Sequence, residues 1–257
     1  MNWLLAAASA AALALSAMSA SAAPCANANA LGTARVLAVD AATTPRVGRQ
    51  HFQTTLPLAP REVVLTFDDG PFPPTTARVL DAMRDECVRA SFFLLGRNAV
   101  AYPALGRRAL AEGHTIAHHT YSHPLLNRMA AARADAEIDR GMAAVDGVLY
   151  GHSKPRPVTP FFRFPGFASN AALLDRLEQR GIVVFGSDLW ASDWNAMTAN
   201  QELGLVMSRL EATSGGILLF HDTKAATAAL MPAFLRILKT RGYRVVHVVP
   251  SGGVVAR

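Results

Sequence analysis

From Glu62 onward the chain alternates short apolar runs with amphipathic stretches. The runs are Val63–Phe67, Ala90–Leu95, His114–Ala117, Phe161–Phe164, Ile182–Phe185, Gly216–Phe220 and Tyr243–Val249. They are brief and lack polar alternation, which suits parallel strands buried on both faces. The segments between them carry helical periodicity, first at Thr76–Arg84, Ala99–Glu112 and Ala130–Val148, then at Ala171–Arg180, Gln201–Glu211 and Ala226–Arg241. Three of these helices are predicted to stop at Gly113, Gly181 and Gly242, because glycine readily takes the left-handed turn just past a helix end. Seven strands alternating with helices place the chain in the α/β class with a parallel sheet, open or closed. The natural closed form is a distorted (β/α)7 barrel. Chemistry in such a barrel lies on the loops leaving the C-terminal ends of the strands.

The part before Glu62 reads differently. Residues 24–61 mix Ala, Thr, Pro and Arg without a clear period, and are expected to be an extended lead-in with at most a short edge strand. Leu4 to Ala17 is an uncharged Ala/Leu run followed by small residues, and Ala20-Ser21-Ala22 has the form a signal peptidase cuts. The run is shorter than the roughly 20 residues of a spanning helix. Residues 1–23 therefore read as a signal peptide and the protein as exported, periplasmic or secreted, with no transmembrane span after cleavage. An uncleaved anchor is the alternative, since Met1-Asn2-Trp3 carries no Lys or Arg. Two cysteines occur, Cys25 and Cys87. Outside the cytoplasm they could pair, but a second cut site at Ala26-Asn27-Ala28 would discard Cys25. Cys87 is expected to be a buried free thiol.

The chain has 257 residues, 51% of them apolar, enough for one substantial domain. Lys and Arg exceed Asp and Glu by 25 to 19. That surplus fits anionic polymers or membrane surfaces, and it is too diffuse for nucleic-acid binding.

The unusual polar groups fall on one predicted rim. Asp68 and Asp69 follow the first strand in Thr66-Phe67-Asp68-Asp69-Gly70-Pro71. Alone, Asp-Gly there is more often a turn. Two adjacent acids repel unless a cation or proton intervenes, and a metal held by one leaves the other free as a base. His119 and His123 stand at i and i+4, close enough to share an ion on a helical turn, although paired surface histidines have the same spacing. Two His and one carboxylate leave coordination positions open, as catalytic zinc requires; iron, cobalt and manganese accept the same set. His221 ends the sixth strand, where a lone histidine is commonly a satisfied core residue; here Asp193 could tune it. Arg163 sits among phenylalanines and needs an acidic partner, for which Asp68 is the candidate. Trp190 and Trp194 serve equally as core aromatics or as the wall of a sugar or acyl pocket. His51, His114, His118, His152 and His247 are read as structural or surface residues, and Arg133–Arg140 as a solvated helix face.

Taken together these residues resemble the polysaccharide deacetylases of carbohydrate esterase family 4, the NodB homology domain. TFDDGP at 66–71 resembles the first family motif, and HTYSH at 119–123 the second. Arg163 with Pro165 is similar to the third, Asp193-Trp194 to the end of the fourth, and Leu218-Leu219-Phe220-His221 to the fifth. The likeness covers residues 62–249. It implies a metal on Asp69, His119 and His123, Asp68 as base, His221 as acid, Arg163 orienting Asp68, and Asp193 setting the acid's pKa. Trp194 and Leu218 would form the acetyl pocket. Two departures stand out. The third motif reads Arg163-Phe164-Pro165-Gly166-Phe167 instead of R-P-P-Y-G, which hands the oxyanion-binding N–H to Gly166. Trp190 occupies a position where an acid is common. The implied activity is metal-dependent removal of N-acetyl groups from a GlcNAc-containing glycan such as peptidoglycan, chitin-like polymer or exopolysaccharide. The rival readings are a glycan-binding protein with a decayed site, which should have lost a ligand or the base, and an amidohydrolase of a small non-sugar amide.

Overall fold

A computed structural model describes Cys25 and residues 27–252; the stretch read as a signal peptide lies outside the described residues. Seven strands appear where the apolar runs predict them: β3 (Glu62–Asp68), β4 (Ser91–Leu94), β5 (Thr115–His118), β6 (Phe161–Phe162), β7 (Val183–Phe185), β9 (Gly216–His221) and β10 (Arg244–Pro250). A two-residue strand, β8 (Leu189–Trp190), is added before β9. All strand pairs are parallel, and hydrogen-bonded neighbours run β7-β6-β5-β4-β3-β9-β8. Among the described residues β7 and β8 do not pair, so the ladder is a distorted barrel and not a complete hydrogen-bonded ring.

Six of the helices occupy the predicted intervals: α1 (Thr75–Asp85), α3 (Pro103–Ala111), α4 (Ala131–Tyr150), α5 (Ala171–Gln179), α6 (Ala199–Thr213) and α7 (Ala225–Thr240). The predicted helix Ala99–Glu112 is broken in two, because Pro103 cannot donate into a continuing turn; α2 (Gly96–Ala101) precedes it. Gly113, Gly181 and Gly242 all have positive φ, between 67° and 82°, one residue beyond the C-caps Glu112, Arg180 and Arg241.

Two apolar layers hold the barrel. Val64, Phe93, Ala117, Phe161, Phe185 and Ile217 fill the lumen. Leu65, Phe67, Phe92, Leu218 and Phe220 face the helices. Among the described residues no helix is long and apolar enough to cross a membrane.

The lead-in is more ordered than its composition suggests. Thr33–Val39 forms β1, seven residues paired with β10, and Arg46–Val47 forms β2, paired with β7. Between the second strand and the domain, Asp188 ties the segment down by accepting from the Arg49 N–H (2.8 Å), the Thr55 hydroxyl (2.8 Å) and the Ile217 N–H (2.8 Å).

Cys87 is not a free thiol. It is bonded to Cys25, 62 positions away in sequence, with Cα atoms 5.8 Å apart. The reason is positional: Leu31 and Thr33 dock on Glu86, Cys87 and Arg89, which brings Cys25 to the end of α1. Closing a loop of that length restricts the unfolded chain by about 4 kcal/mol on the loop-entropy estimate. Cys87→Ser is therefore expected to lower the melting temperature by several degrees in thermal denaturation, with an unchanged far-ultraviolet spectrum at 25 °C.

Candidate active site

Asp68 ends β3 and is buried; Asp69 follows with φ of 76°. That left-handed step turns the second carboxylate away from the first. Gly70 then passes so close to Asp222 that a Cβ there would lie 2.1 Å from a carboxylate oxygen. The Asp222 carboxyl also accepts from the Thr76 hydroxyl at 2.5 Å, so it anchors the start of α1 beneath this loop. Only glycine permits that approach.

His119 leaves β5 and is fixed by its Nδ1, 2.7 Å from the Arg163 carbonyl. The contact makes Nδ1 the protonated nitrogen and leaves Nε2 as an acceptor. Burial, the largest influence, holds the imidazole neutral with its pKa down at about 3. Nε2 of His119 lies 3.6 Å from Asp69 Oδ1, and Nε2 of His123 lies 3.4 Å from the same oxygen. One ligand atom from each of the three falls within 4.8 Å of the others. Among the described residues no donor reaches the buried Asp69 Oδ1, a costly arrangement that a cation would relieve. The donor set, two imidazoles and a carboxylate, thus fits a divalent metal ion.

HTYSH is not a helical turn. Thr120 and His123 both take positive φ, near 68°, and helix α4 clamps the loop. Glu137 accepts from the Ser122 N–H and hydroxyl, each at 3.0 Å, and Arg140 stacks on Tyr121 at 3.5 Å. A Cβ at Gly141 would sit 2.3 Å from the Thr120 carbonyl carbon, so the helix approaches through that glycine. The charged face expected to be solvated is in part the wall that shapes this loop.

Arg163 fills the top of the lumen with no exposed side-chain surface. Nη1 donates to Asp68 Oδ1 (2.7 Å) and Thr66 Oγ1 (3.0 Å), Nη2 to the Gly186 carbonyl (2.9 Å) and Nε to the Phe185 carbonyl (3.3 Å). Its Cζ lies 4.2 Å from the Phe93 ring centroid. Burial drives the Asp68 carboxyl above its ordinary range, and the charge of Arg163 offsets part of that rise. Asp68 Oδ2 faces His119 Nε2 at 3.8 Å.

On the opposite side of Asp69 stands His221, its Nε2 4.0 Å from Asp69 Oδ2. Asp193 holds it twice, at Nδ1 (2.7 Å) and at the backbone N–H (2.6 Å). Burial disfavours charge on the ring, but Asp193, Asp68 and Asp69 outweigh it and lift the pKa to about 9.

Trp194 is half exposed and meets His221 edge-on, centroids 6.0 Å apart. Leu218 is turned into the layer under the helices with Leu65 and Phe220, so it is not placed to line a pocket at the rim. Side chains alternate along a strand; Ile217 points into the lumen, and Leu219 and His221 share its side. The pocket candidate is therefore Leu219. Gly166 lies in a short turn after Arg163 with φ of 54°, followed by Phe167, also at 54°. His51, read as structural, stacks on Phe167 at 3.6 Å and comes within 6.0 Å of Trp190. No sequence signal marks it, since its position depends on the docking of the lead-in.

The polysaccharide deacetylase profile matches residues 56–185, half of the chain. A peptidoglycan-N-acetylglucosamine deacetylase of Listeria monocytogenes is 31% identical over 191 residues, 73% of this chain. A chitooligosaccharide deacetylase of Rhizobium leguminosarum is 33% identical over 162 residues, 63% of this chain and 72% of the relative. The solved peptidoglycan deacetylase Bd3279 of Bdellovibrio bacteriovorus superposes with a TM-score of 0.76 at 30% identity, covering 87% of this chain and 61% of that one. The chain spans only 38% of the length of the Listeria relative. It belongs to the polysaccharide deacetylase family.

Proposed function

We propose that this protein is a metal-dependent hydrolase that removes N-acetyl groups from a GlcNAc-containing polysaccharide or oligosaccharide. The observation that carries this reading is the placement of Asp69, His119 and His123 between two differently tuned groups, the Arg163-paired Asp68 and the Asp193-paired His221. The relatives named for peptidoglycan and chitooligosaccharide deacetylation support the substrate class.

A divalent cation, zinc by preference over cobalt, manganese or iron, would supply Lewis acidity, polarising the amide carbonyl and acidifying a water. Asp68 has Oδ1 committed to Arg163, so Oδ2 is the atom that takes the proton of the attacking water. The water oxygen bonds to the carbonyl carbon, and the Gly166 N–H donates to the oxygen that gains charge. The carbon–nitrogen bond then breaks while His221 Nε2 gives its proton to the departing amine. Acetate and a free amino sugar result. Asp193 keeps His221 charged until that moment. Trp194 and Leu219 bound the space for the acetyl methyl.

The aromatic run beside the site suits a sugar chain. From His221 it passes through Trp194 and Trp190 (6.0 Å apart) to Phe167 (6.4 Å) and His51. Apolar faces of pyranose rings pack on such surfaces. The disulfide and the apolar leader support export to an oxidising compartment.

Acetate release is measured with chitooligosaccharide, peptidoglycan and acetylated exopolysaccharide. Activity is expected to vanish in excess chelator and return with zinc; full activity in chelator overturns the reading. In the same assay His51→Ala with Trp190→Ala should raise KM for a pentasaccharide about thirtyfold, consistent with about 1 kcal/mol for each of the two aromatic contacts. A disaccharide should be unaffected. Equal effects on both lengths would remove the rings from substrate binding.

A further inference from the structure

Behind the His221–Asp193 pair lies a buried group that the reaction as written does not use. Glu202, in the first turn of α6, has no exposed surface, and Thr227, in the first turn of α7, has none either. The Thr227 hydroxyl is 2.8 Å from Asp193 Oδ2 and 2.9 Å from Glu202 Oε1. A hydroxyl carries one proton, and it stands here between two carboxyl groups. It can donate to only one of them. If both were ionised, the other contact would set two lone pairs against each other in a dry interior, beside two like charges. One of the two carboxyls therefore holds a proton.

Asp193 is the ionised one. It faces the His221 imidazole with Oδ1 and accepts the His221 backbone N–H with Oδ2, both as a pure acceptor. Glu202 faces no cation at hydrogen-bond distance, and its Oε2 has no partner among the described residues. Burial first, and the neighbouring Asp193 charge with it, push the Glu202 carboxyl up to about 7.

We propose that Glu202 is a positioning residue for the acid, a neutral carboxyl that donates to Thr227 so that the proton of Thr227 is committed to Asp193. The four groups then form one connected chain: Glu202 donates to Thr227, Thr227 donates to Asp193, and Asp193 also accepts from the His221 Nδ1–H. The chain fixes the Asp193 rotation that aims Oδ1 at His221 Nδ1. It also keeps a second negative charge away from the pair. The assignment rests on the reading of His221 as the proton donor to the leaving amine.

The test compares Glu202→Gln, Glu202→Leu and Thr227→Val in the full chain, with zinc content and melting temperature measured beside the kinetics. Glu202→Leu and Thr227→Val are each expected to lower kcat about tenfold with KM and zinc content unchanged. Their combination should be no worse than either alone, because both cut one chain. Glu202→Gln keeps an N–H donor toward Thr227 and is expected to restore kcat to within threefold of the parent. A residue needed only for packing would instead move melting temperature without this split. Infrared difference spectra should show a protonated-carboxyl stretch in the parent that Glu202→Gln lacks. Glutamine as damaging as leucine, leucine without effect on kcat, or absence of that band each overturns the proposal. The band is read without turnover, so it still decides the protonation of Glu202 if leucine prevents folding. Failure of the deacetylase reading appears separately, as a parent protein that releases no acetate.

Discussion

Asp68→Asn is expected to abolish acetate release while the purified protein keeps its metal; His119→Ala should lose both. The two acids at the end of β3 are neighbours in sequence but face different partners. Asp68 is locked to Arg163 at 2.7 Å, whereas Asp69 turns toward His119 and His123. Asparagine preserves the shape and the hydrogen bond from Arg163 but cannot accept a proton from water. Loss of a general base costs about 10² to 10⁴ in rate, so kcat should fall by about a thousandfold. His119 contributes a neutral Nε2 whose direction is set by the Arg163 carbonyl; alanine leaves two protein ligands. Metal analysis and acetate release on the two variants decide the matter. Equal metal loss in both would overturn the division of labour between the carboxylates.

The second large effect is expected at Arg163. Methionine there would strand Asp68, buried and without its cation, and leave the Phe185 and Gly186 carbonyls and the Thr66 hydroxyl short of a donor. Removing one partner of a buried ion pair costs about 3–5 kcal/mol, or roughly 10 °C in a domain of this size. The sign for the chemistry is also fixed. Burial already raises the Asp68 pKa, and Arg163 is the main influence opposing it. Without the guanidinium the carboxyl is pushed further upward, which favours its protonated form and weakens it as a base. Adding Asp68→Asn to Arg163→Met should recover part of the melting temperature and none of the activity. A double variant as unstable as the single one would show that the loss comes from packing and not from stranded charge.

Much of this was legible in the sequence, for reasons that differ by element. Strands buried on both faces announce themselves as unbroken apolar runs, and a glycine one position past a helix end has a backbone reason to be there. The metal set and its flanking groups fall at strand ends, so a count of strands already gathers them on one rim. What escaped depends on partners far away in sequence. HTYSH has helical spacing, yet Glu137 and Gly141 impose a loop with two left-handed residues. Leu218 and Leu219 are equivalent as letters; only the strand's register assigns one to the helices and the other to the rim. Cys25 finds Cys87 because the lead-in docks on α1. Glu202 and Asp222 carried no signal, since an acid on a helix or after a strand end is ordinarily solvated.

The pairing of β1 with β10 joins Thr33 to Val245 and Val39 to Pro250. The first strand made waits for the last. Contacts of such long sequence separation form late and slow folding, and here they cannot form at all until the C-terminal strand has been synthesised. Until then Thr33–Val39 has no strand to pair with among the described residues, so this strand of the lead-in is the last part of the sheet to be seated.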